Sequence, residues 1–173
     1  MPTDEKTAVK GQSVRLSGDK LQVGDKAPEV TLINGDLEDV VIGGAGNYTQ
    51  LFVVVPSLDT EICAAETKYF NKRLSNLDIV ETAVVSMDLP FASQRFCAVE
   101  GINNVTAVSD YLDKEFGEKY GVLMQEGPLR GLLARAIFVV NEQGYVTYKQ
   151  IVDDVTSEPD YEKALEAVKD ARL

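Results

Sequence analysis

Leu51-Phe52-Val53-Val54-Val55-Pro56-Ser57-Leu58-Asp59-Thr60-Glu61-Ile62-Cys63 is the stretch that decides the fold. Leu51 to Val55 is an unbroken apolar run rich in β-branched residues, the pattern of a strand buried on both faces. Pro56 ends the strand, because proline has no N–H for a neighbour and fixes φ. Asp59 and Thr60 are good N-cap residues, and Ile62, Ala65, Tyr69 and Phe70 then recur at helical spacing. The spacing predicts a helix from Thr60 to about Leu74, with Cys63 in its first turn. Free backbone N–H groups and the positive end of the helix dipole collect there, and both favour a thiolate over a thiol.

Downstream of this stretch, strands and helices alternate. Asp78 to Ser86, with the core Ile79–Val85, reads as a second buried strand. Pro90 suits the first position of a helix over Phe91–Phe96, with Cys97 at its end. Val105–Val108 follows as a short strand, and Lys114–Tyr120 as a short helix stopped by Gly121. Ala134–Val140 reads as a central strand, and Asn141-Glu142-Gln143-Gly144 turns it back into an antiparallel partner, Tyr145–Ile151. Pro159–Arg172 closes the chain as an amphipathic helix with Tyr161, Leu165 and Val168 on one face. Upstream, Glu29–Ile33 and Asp39–Ile42 are short strands, and the segment from about residue 8 to 22 looks like a hairpin with turns at Gly11 and Gly18. The expected architecture is α/β: a thioredoxin-like fold with a mixed central sheet flanked by helices and an added N-terminal β-hairpin. A length of 173 residues fits a single domain over 1–173.

Composition narrows the function. With 28 acidic and 17 basic side chains, the formal charge is −11, and the basic residues are scattered. Such a surface repels polyanions, so neither nucleic acid nor an anionic membrane is an expected partner. The first residues lack the basic and apolar segments of a signal peptide, and no apolar run approaches the ~20 residues that span a bilayer. A cytoplasmic location is expected. The glycines of Gly43-Gly44-Ala45-Gly46 match neither a dinucleotide fingerprint nor a P-loop. The chain contains no histidine, which excludes Ser-His-Asp and Cys-His catalysis and histidine-containing zinc sites. Whatever activates a nucleophile here must be a helix N-terminus, an Arg or Lys, or a hydroxyl. No metal and no cofactor are expected.

The two cysteines, Cys63 and Cys97, lie too far apart in sequence for a Cys-x-x-Cys redox motif. Pro56-x-x-x-Thr60-x-x-Cys63 resembles the active-site motif of the peroxiredoxins. The fuller match is to their thiol peroxidase subfamily, the bacterial atypical two-cysteine type. Asp88-Leu89-Pro90-Phe91-Ala92, Arg95-Phe96-Cys97, Gly127-Pro128-Leu129, Ala134-Arg135-Ala136 and Val152–Tyr161 are similar to it, and the likeness runs through nearly the whole chain. The resemblance implies that Cys63 attacks a peroxide and becomes a sulfenic acid. Thr60 then hydrogen-bonds the thiolate and the peroxide, Pro56 shields the pocket from water, and Arg135 supplies positive charge. Cys97 resolves the sulfenic acid into an intramolecular disulfide. Thioredoxin as reductant, hydrogen peroxide and alkyl hydroperoxides as substrates, and a homodimer are also implied.

Arg is permanently charged, and Arg135 sits in an apolar strand, an odd place for a cation unless it faces a site. Phe52, Leu89, Phe91, Leu129 and Leu132 are candidate walls for an alkyl chain, with Phe91 and Leu129 as the expected substrate contacts; the same residues also suit plain core. Forming the disulfide calls for local unwinding around both cysteines. A second functional class stays open: a redox-switched sensor or binding module using the same cysteine pair.

Overall fold

The computed structural model describes residues 2–74 and 80–171. Along the chain run β1 (Pro2–Val9), β2 (Gln12–Ser17), β3 (Val30–Asn34), β4 (Asp39–Ile42), β5 (Thr49–Val54), α1 (Glu61–Arg73), β6 (Val80–Ser86) and α2 (Pro90–Glu100). Then come β7 (Thr106–Ser109), α3 (Glu115–Lys119), β8 (Leu123–Met124), β9 (Ala136–Val140), β10 (Val146–Ile151) and α4 (Tyr161–Asp170). Seven strands form one sheet in the order β10-β9-β5-β6-β7-β3-β4. β5, β6 and β7 are parallel, and the strands outside them join antiparallel.

β5 lies in the interior of the sheet, between β9 and β6, for the reason its sequence suggested. Every one of its residues is buried, and alternate side chains enter opposite layers. Phe52 and Val54 face a cluster with Phe116, Tyr120 and Phe138, whereas Leu51 and Val53 face one with Phe70, Ile137, Leu165 and Val168. In the first layer, the Phe116 and Tyr120 rings stack with centroids 4.2 Å apart, and the Tyr120 hydroxyl donates to the Pro28 carbonyl at 2.7 Å. α3 lies on this side. α1, α2 and α4 contribute to the second layer, so the sheet is covered on both faces as a thioredoxin-like arrangement requires.

Several expectations shift. α2 is not a short helix ending at Phe96: it runs unbroken to Glu100, because no breaker stands between Pro90 and Gly101, which takes φ 68° as its C-cap. Cys97 is therefore inside the helix. Arg135 lies just before β9 rather than within it. The buried face of α1 is Cys63, Glu66, Thr67 and Phe70; of the spacing Ile62, Ala65, Tyr69 and Phe70, Phe70 is fully buried, Tyr69 packs partly buried against the same layer, and Ala65 is exposed. Asp78 and Ile79 of the expected second strand, and Arg172 of the last helix, lie outside the described residues.

The N-terminal hairpin is longer than expected toward its start, with β1 and β2 meeting at Lys10-Gly11. It also gains a third strand that the sequence did not suggest, since β8 pairs Leu16 with Met124 and Ser17 with Leu123. The hairpin is tied to the segment before α4. Thr7 Oγ1 donates to the Val152 carbonyl, the Val155 N–H donates to the Ala8 carbonyl, and Asp154 accepts the Lys10 and Gly11 N–H groups.

Candidate active site

The strand-ending Pro56 is buried, and a short loop from Ser57 leads from it to the start of α1 at Glu61. Thr60 is its N-cap in extended conformation, with φ −130° and ψ 153°, and its side chain makes no cap hydrogen bond. The Thr60 hydroxyl donates instead to the Ser57 carbonyl at 2.9 Å, which closes the tight loop leading into the helix. Cys63 follows in the first turn, where backbone N–H groups have no intrahelical acceptor. Its side chain is 0% exposed. Thr67 Oγ1 donates to the Cys63 carbonyl at 2.8 Å, one turn on.

The hydrogen bond to the sulfur comes from Arg135. Its Nη1 lies 3.1 Å from Cys63 Sγ and 2.8 Å from Glu66 Oε2, so one nitrogen faces both the thiol and a carboxylate. Nε and Nη2 donate to the Val155 carbonyl at 2.9 and 2.8 Å, which fixes the plane of the guanidinium. Arg135 is 3% exposed and Glu66 0%. Burial pulls the Arg135 pKa down, but the charges of Cys63 and Glu66 outweigh it, so the net shift is upward. Burial pushes the Glu66 carboxyl up to about 7, against the pull of Arg135 and with a further push from Glu158. Glu66 Oε1 is buried without a hydrogen-bond partner.

A second set of contacts joins the Cys63 loop to α2. The Asp88 carboxylate accepts from Ser57 Oγ at 2.7 Å, from the Leu58 N–H at 2.7 Å and from Ser86 Oγ at 3.1 Å. A cleft of about 440 Å³ lies between this loop and α2, with Leu58, Asp59, Asp88, Ala92, Arg95 and Phe96 among its walls. The far end of α2 is tied to α1. Lys68 pairs with Glu100 at 2.7 Å, and Asn71 Oδ1 accepts the N–H groups of Asn103 and Asn104 at 3.0 and 2.7 Å.

Cys97 is half-buried, and burial pushes its thiol pKa up. Both cysteines are free, and both pack against the same apolar layer. Cys97 also opens onto a separate hollow of about 300 Å³ beside Ser93, Gln94, Ile102 and Asn103. Of the candidate walls, Phe91 is 65% exposed at the start of α2 and Leu129 packs against the hairpin cluster. Phe52 is buried in the layer on the other side of the sheet. Cys63 and Arg135 thus meet at the first turn of α1, where Thr60 stands at the N-cap, whereas Leu129 packs in the hairpin cluster. Glu66, Asp88 and Val155 were not singled out from sequence. For Glu66 a signal existed, since a residue three after an inward-facing Cys63 shares its helix face.

No helix among the described residues is long and apolar enough to cross a membrane, and they contain no group of three His, Cys, Asp or Glu side chains suited to a metal ion.

Known proteins resemble this chain in sequence and in fold. The model of the Redoxin family matches residues 22–165. The chain is 53% identical over 154 residues to a thiol peroxidase from Campylobacter jejuni, covering 89% of this chain and 87% of that one. It is 46% identical over 162 residues to a thiol peroxidase from Aquifex aeolicus, covering 94% and 95% of the two chains. Among solved structures, a peroxiredoxin-like protein from Aquifex aeolicus superposes with a TM-score of 0.94 at 45% identity, covering 96% of this chain and 97% of the other. A thiol peroxidase from Chromobacterium violaceum has a TM-score of 0.87 at 20% identity and shares the fold.

Proposed function

The chain belongs to the thiol peroxidase branch of the Redoxin family and is a peroxidase of the peroxiredoxin type, and on that premise we propose a cycle that starts at Cys63. The observation that carries the assignment is the Arg135 Nη1 to Cys63 Sγ contact of 3.1 Å at the first turn of α1. The Cys63 thiolate attacks the distal peroxide oxygen, the O–O bond breaks, and the sulfur becomes a sulfenic acid while water or an alcohol leaves with a proton. Arg135 and the helix N-terminus lie where negative charge moves onto the peroxide oxygens, and charge stabilisation there lowers the barrier. The Thr60 hydroxyl has its proton committed to Ser57, which leaves its lone pairs to accept the peroxide O–H. Pro56, buried beside this turn, keeps water out.

Cys97 then condenses with the sulfenic acid, releasing water and forming an intramolecular Cys63–Cys97 disulfide. A wholly buried Cys63 and a Cys97 inside α2 support local unwinding at this step. Thioredoxin reduces the disulfide and completes the cycle. Hydrogen peroxide and organic hydroperoxides are the substrates, with Phe91 and Leu129 as contacts for an alkyl group. The protein works as a homodimer of one thioredoxin-like domain over residues 1–173, in the cytoplasm, as an antioxidant enzyme. The family likeness supports these finer points, and the exposure of Phe91 supports its role.

The test is NADPH-linked peroxide consumption with thioredoxin and its reductase. Cys63→Ser should abolish turnover, and Cys97→Ser should keep one turnover but lose recycling. Activity that survives loss of Cys63 overturns the assignment. A sensor would show the same thiol oxidation without sustained turnover, which separates the two classes.

A further inference from the structure

Arg135 Nη1 is shared between two acids, Cys63 at 3.1 Å and Glu66 at 2.8 Å. All three groups are buried, so their summed charge is not solvated by water. With both acids ionised, the cluster carries one cation and two anions, and an uncompensated buried charge is expensive. With one proton on either acid, the cluster is neutral. The carboxyl of Glu66 is the better holder when the sulfur is needed as an anion: Oε2 keeps its bond from Arg135, while Oε1 has no donor to stabilise a negative charge.

We propose that Glu66 holds the proton that Cys63 gives up, so that one proton is shared between this thiol and this carboxyl around the fixed charge of Arg135. The inference rests on Cys63 being the attacking thiol. Glu66 acts through the proton it shares with Cys63 beside Arg135, and not only by bracing the guanidinium.

The protons balance through the half-reaction. Before it, the site holds Cys63 thiolate, Arg135 guanidinium and neutral Glu66. The thiolate takes one oxygen of the peroxide and becomes a neutral sulfenic acid. The O–O bond breaks with its electron pair on the leaving oxygen. Glu66, now alone with Arg135, ionises, and its proton balances the leaving hydroxide or alkoxide as water or alcohol. No net proton is drawn from the medium.

The other groups around Glu66 are consistent with this. From its own helix it meets Cys63, and from the segment before β9 it meets Arg135. Glu158, ahead of α4, adds like charge that favours the neutral carboxyl. Tyr161, on α4, is held protonated by burial and then by the charges of Glu66 and Glu158. Burial displaces the Glu66 carboxyl upward against the pull of Arg135, in keeping with a carboxyl that holds a proton.

The experiment counts protons. Cys97→Ser protein, which stops at the sulfenic acid, is mixed with one equivalent of hydrogen peroxide in weak buffer with a pH indicator. The ultraviolet absorbance of the thiolate, read against Cys63→Ser, reports its charge beforehand. At about pH 7, where Glu66 beside Arg135 alone titrates and a thiolate beside it keeps it neutral, we expect Cys63 as thiolate and proton uptake well below one; well above it, at about pH 8.5, we expect about one proton per sulfur oxidised. Thiolate with full uptake at the lower pH overturns the proposal, and so does a thiol there. Glu66→Gln keeps a neutral side chain beside Arg135 but removes the exchangeable proton. Cys63 should still be the thiolate, and uptake at the lower pH should rise to about one. Uptake that stays as in the wild type shows that Glu66 only braces Arg135 and overturns the proposal. The wild-type measurement decides the matter even if the Gln variant does not fold. If peptide mass spectrometry finds oxidation elsewhere than Cys63, the attacking thiol was misassigned, and the titration arm still judges the shared proton.

Discussion

Removing the Asp88 carboxylate should loosen the site without touching a reacting atom. Asp88 accepts from Ser57 Oγ, the Leu58 N–H and Ser86 Oγ, and so joins the loop ahead of Cys63 to the start of α2. Hydrogen bonds to a charged acceptor contribute about 1.5–3 kcal/mol each, but the two hydroxyl donors can turn to water. The Leu58 N–H belongs to a buried residue and has no such freedom. Asp88→Ala should therefore cost about 2–3 kcal/mol, which lowers Tm by roughly 5–10 °C in a chain of this size. Asp88→Asn keeps one carbonyl oxygen for Leu58 and should cost about 1 kcal/mol. Because small misplacements of an attacking atom are amplified in rate, Asp88→Ala should also slow sulfenic acid formation by about tenfold. Thermal unfolding and stopped-flow peroxide reaction measure the two effects. An Ala variant within about 1 °C of wild type refutes the latch, and so does an Asn variant as damaged as the Ala one.

Gly101 caps α2 at φ 68°, and nothing lies near the Cβ that an Ala would add, so the cost of Gly101→Ala is conformational, about 1 kcal/mol. If α2 must unwind before Cys97 can reach Cys63, that cost falls on the folded helix, and disulfide formation should speed up by as much as about fivefold. Rapid-quench mass spectrometry would follow it, and an unchanged rate counts against unwinding. Asp110 is buried and accepts the N–H groups of Phe116 and Gly117, yet burial raises its pKa from 3.8 to about 6. A carboxyl whose folded pKa lies above its unfolded one binds its proton more tightly when folded, so the contribution of Asp110 to stability is full below pH 3.8 and is lost as pH rises through about 6. Relative to Asp110→Asn, wild type should lose about 3 kcal/mol across that window, read by urea unfolding at several pH values. A constant gap between the two proteins would show that Asp110 does not titrate there.

What could be read from sequence was what local chemistry fixes. The apolar run of β5, the stop at Pro56 and the cap at Thr60 placed Cys63 at a helix start, because each is a property of a few adjacent residues. The hairpin of β9 and β10 was legible for the same reason, in Asn141–Gly144. Glu66 was not, because a charged residue on a helix reads as a solvent face unless its partner is known, and its partner Arg135 is distant in sequence. The buried side of α1 was legible only in part: Phe70 is buried as the spacing suggests, while Glu66 is turned inward by its pairing with Arg135. β8 was missed because two residues carry no periodicity, and their strand character comes only from pairing with Leu16 and Ser17.

Val155 has its N–H bound by Ala8 of the hairpin and its carbonyl bound by the Arg135 guanidinium. The hairpin therefore reaches the sulfur in three links: β1 to Val155, Val155 to Arg135, Arg135 to Cys63. For anyone wishing to graft this cysteine site onto a bare thioredoxin-like scaffold, the motif around Cys63 is not enough. Without the two N-terminal strands, the arginine would keep its charge but lose the surface that aims it.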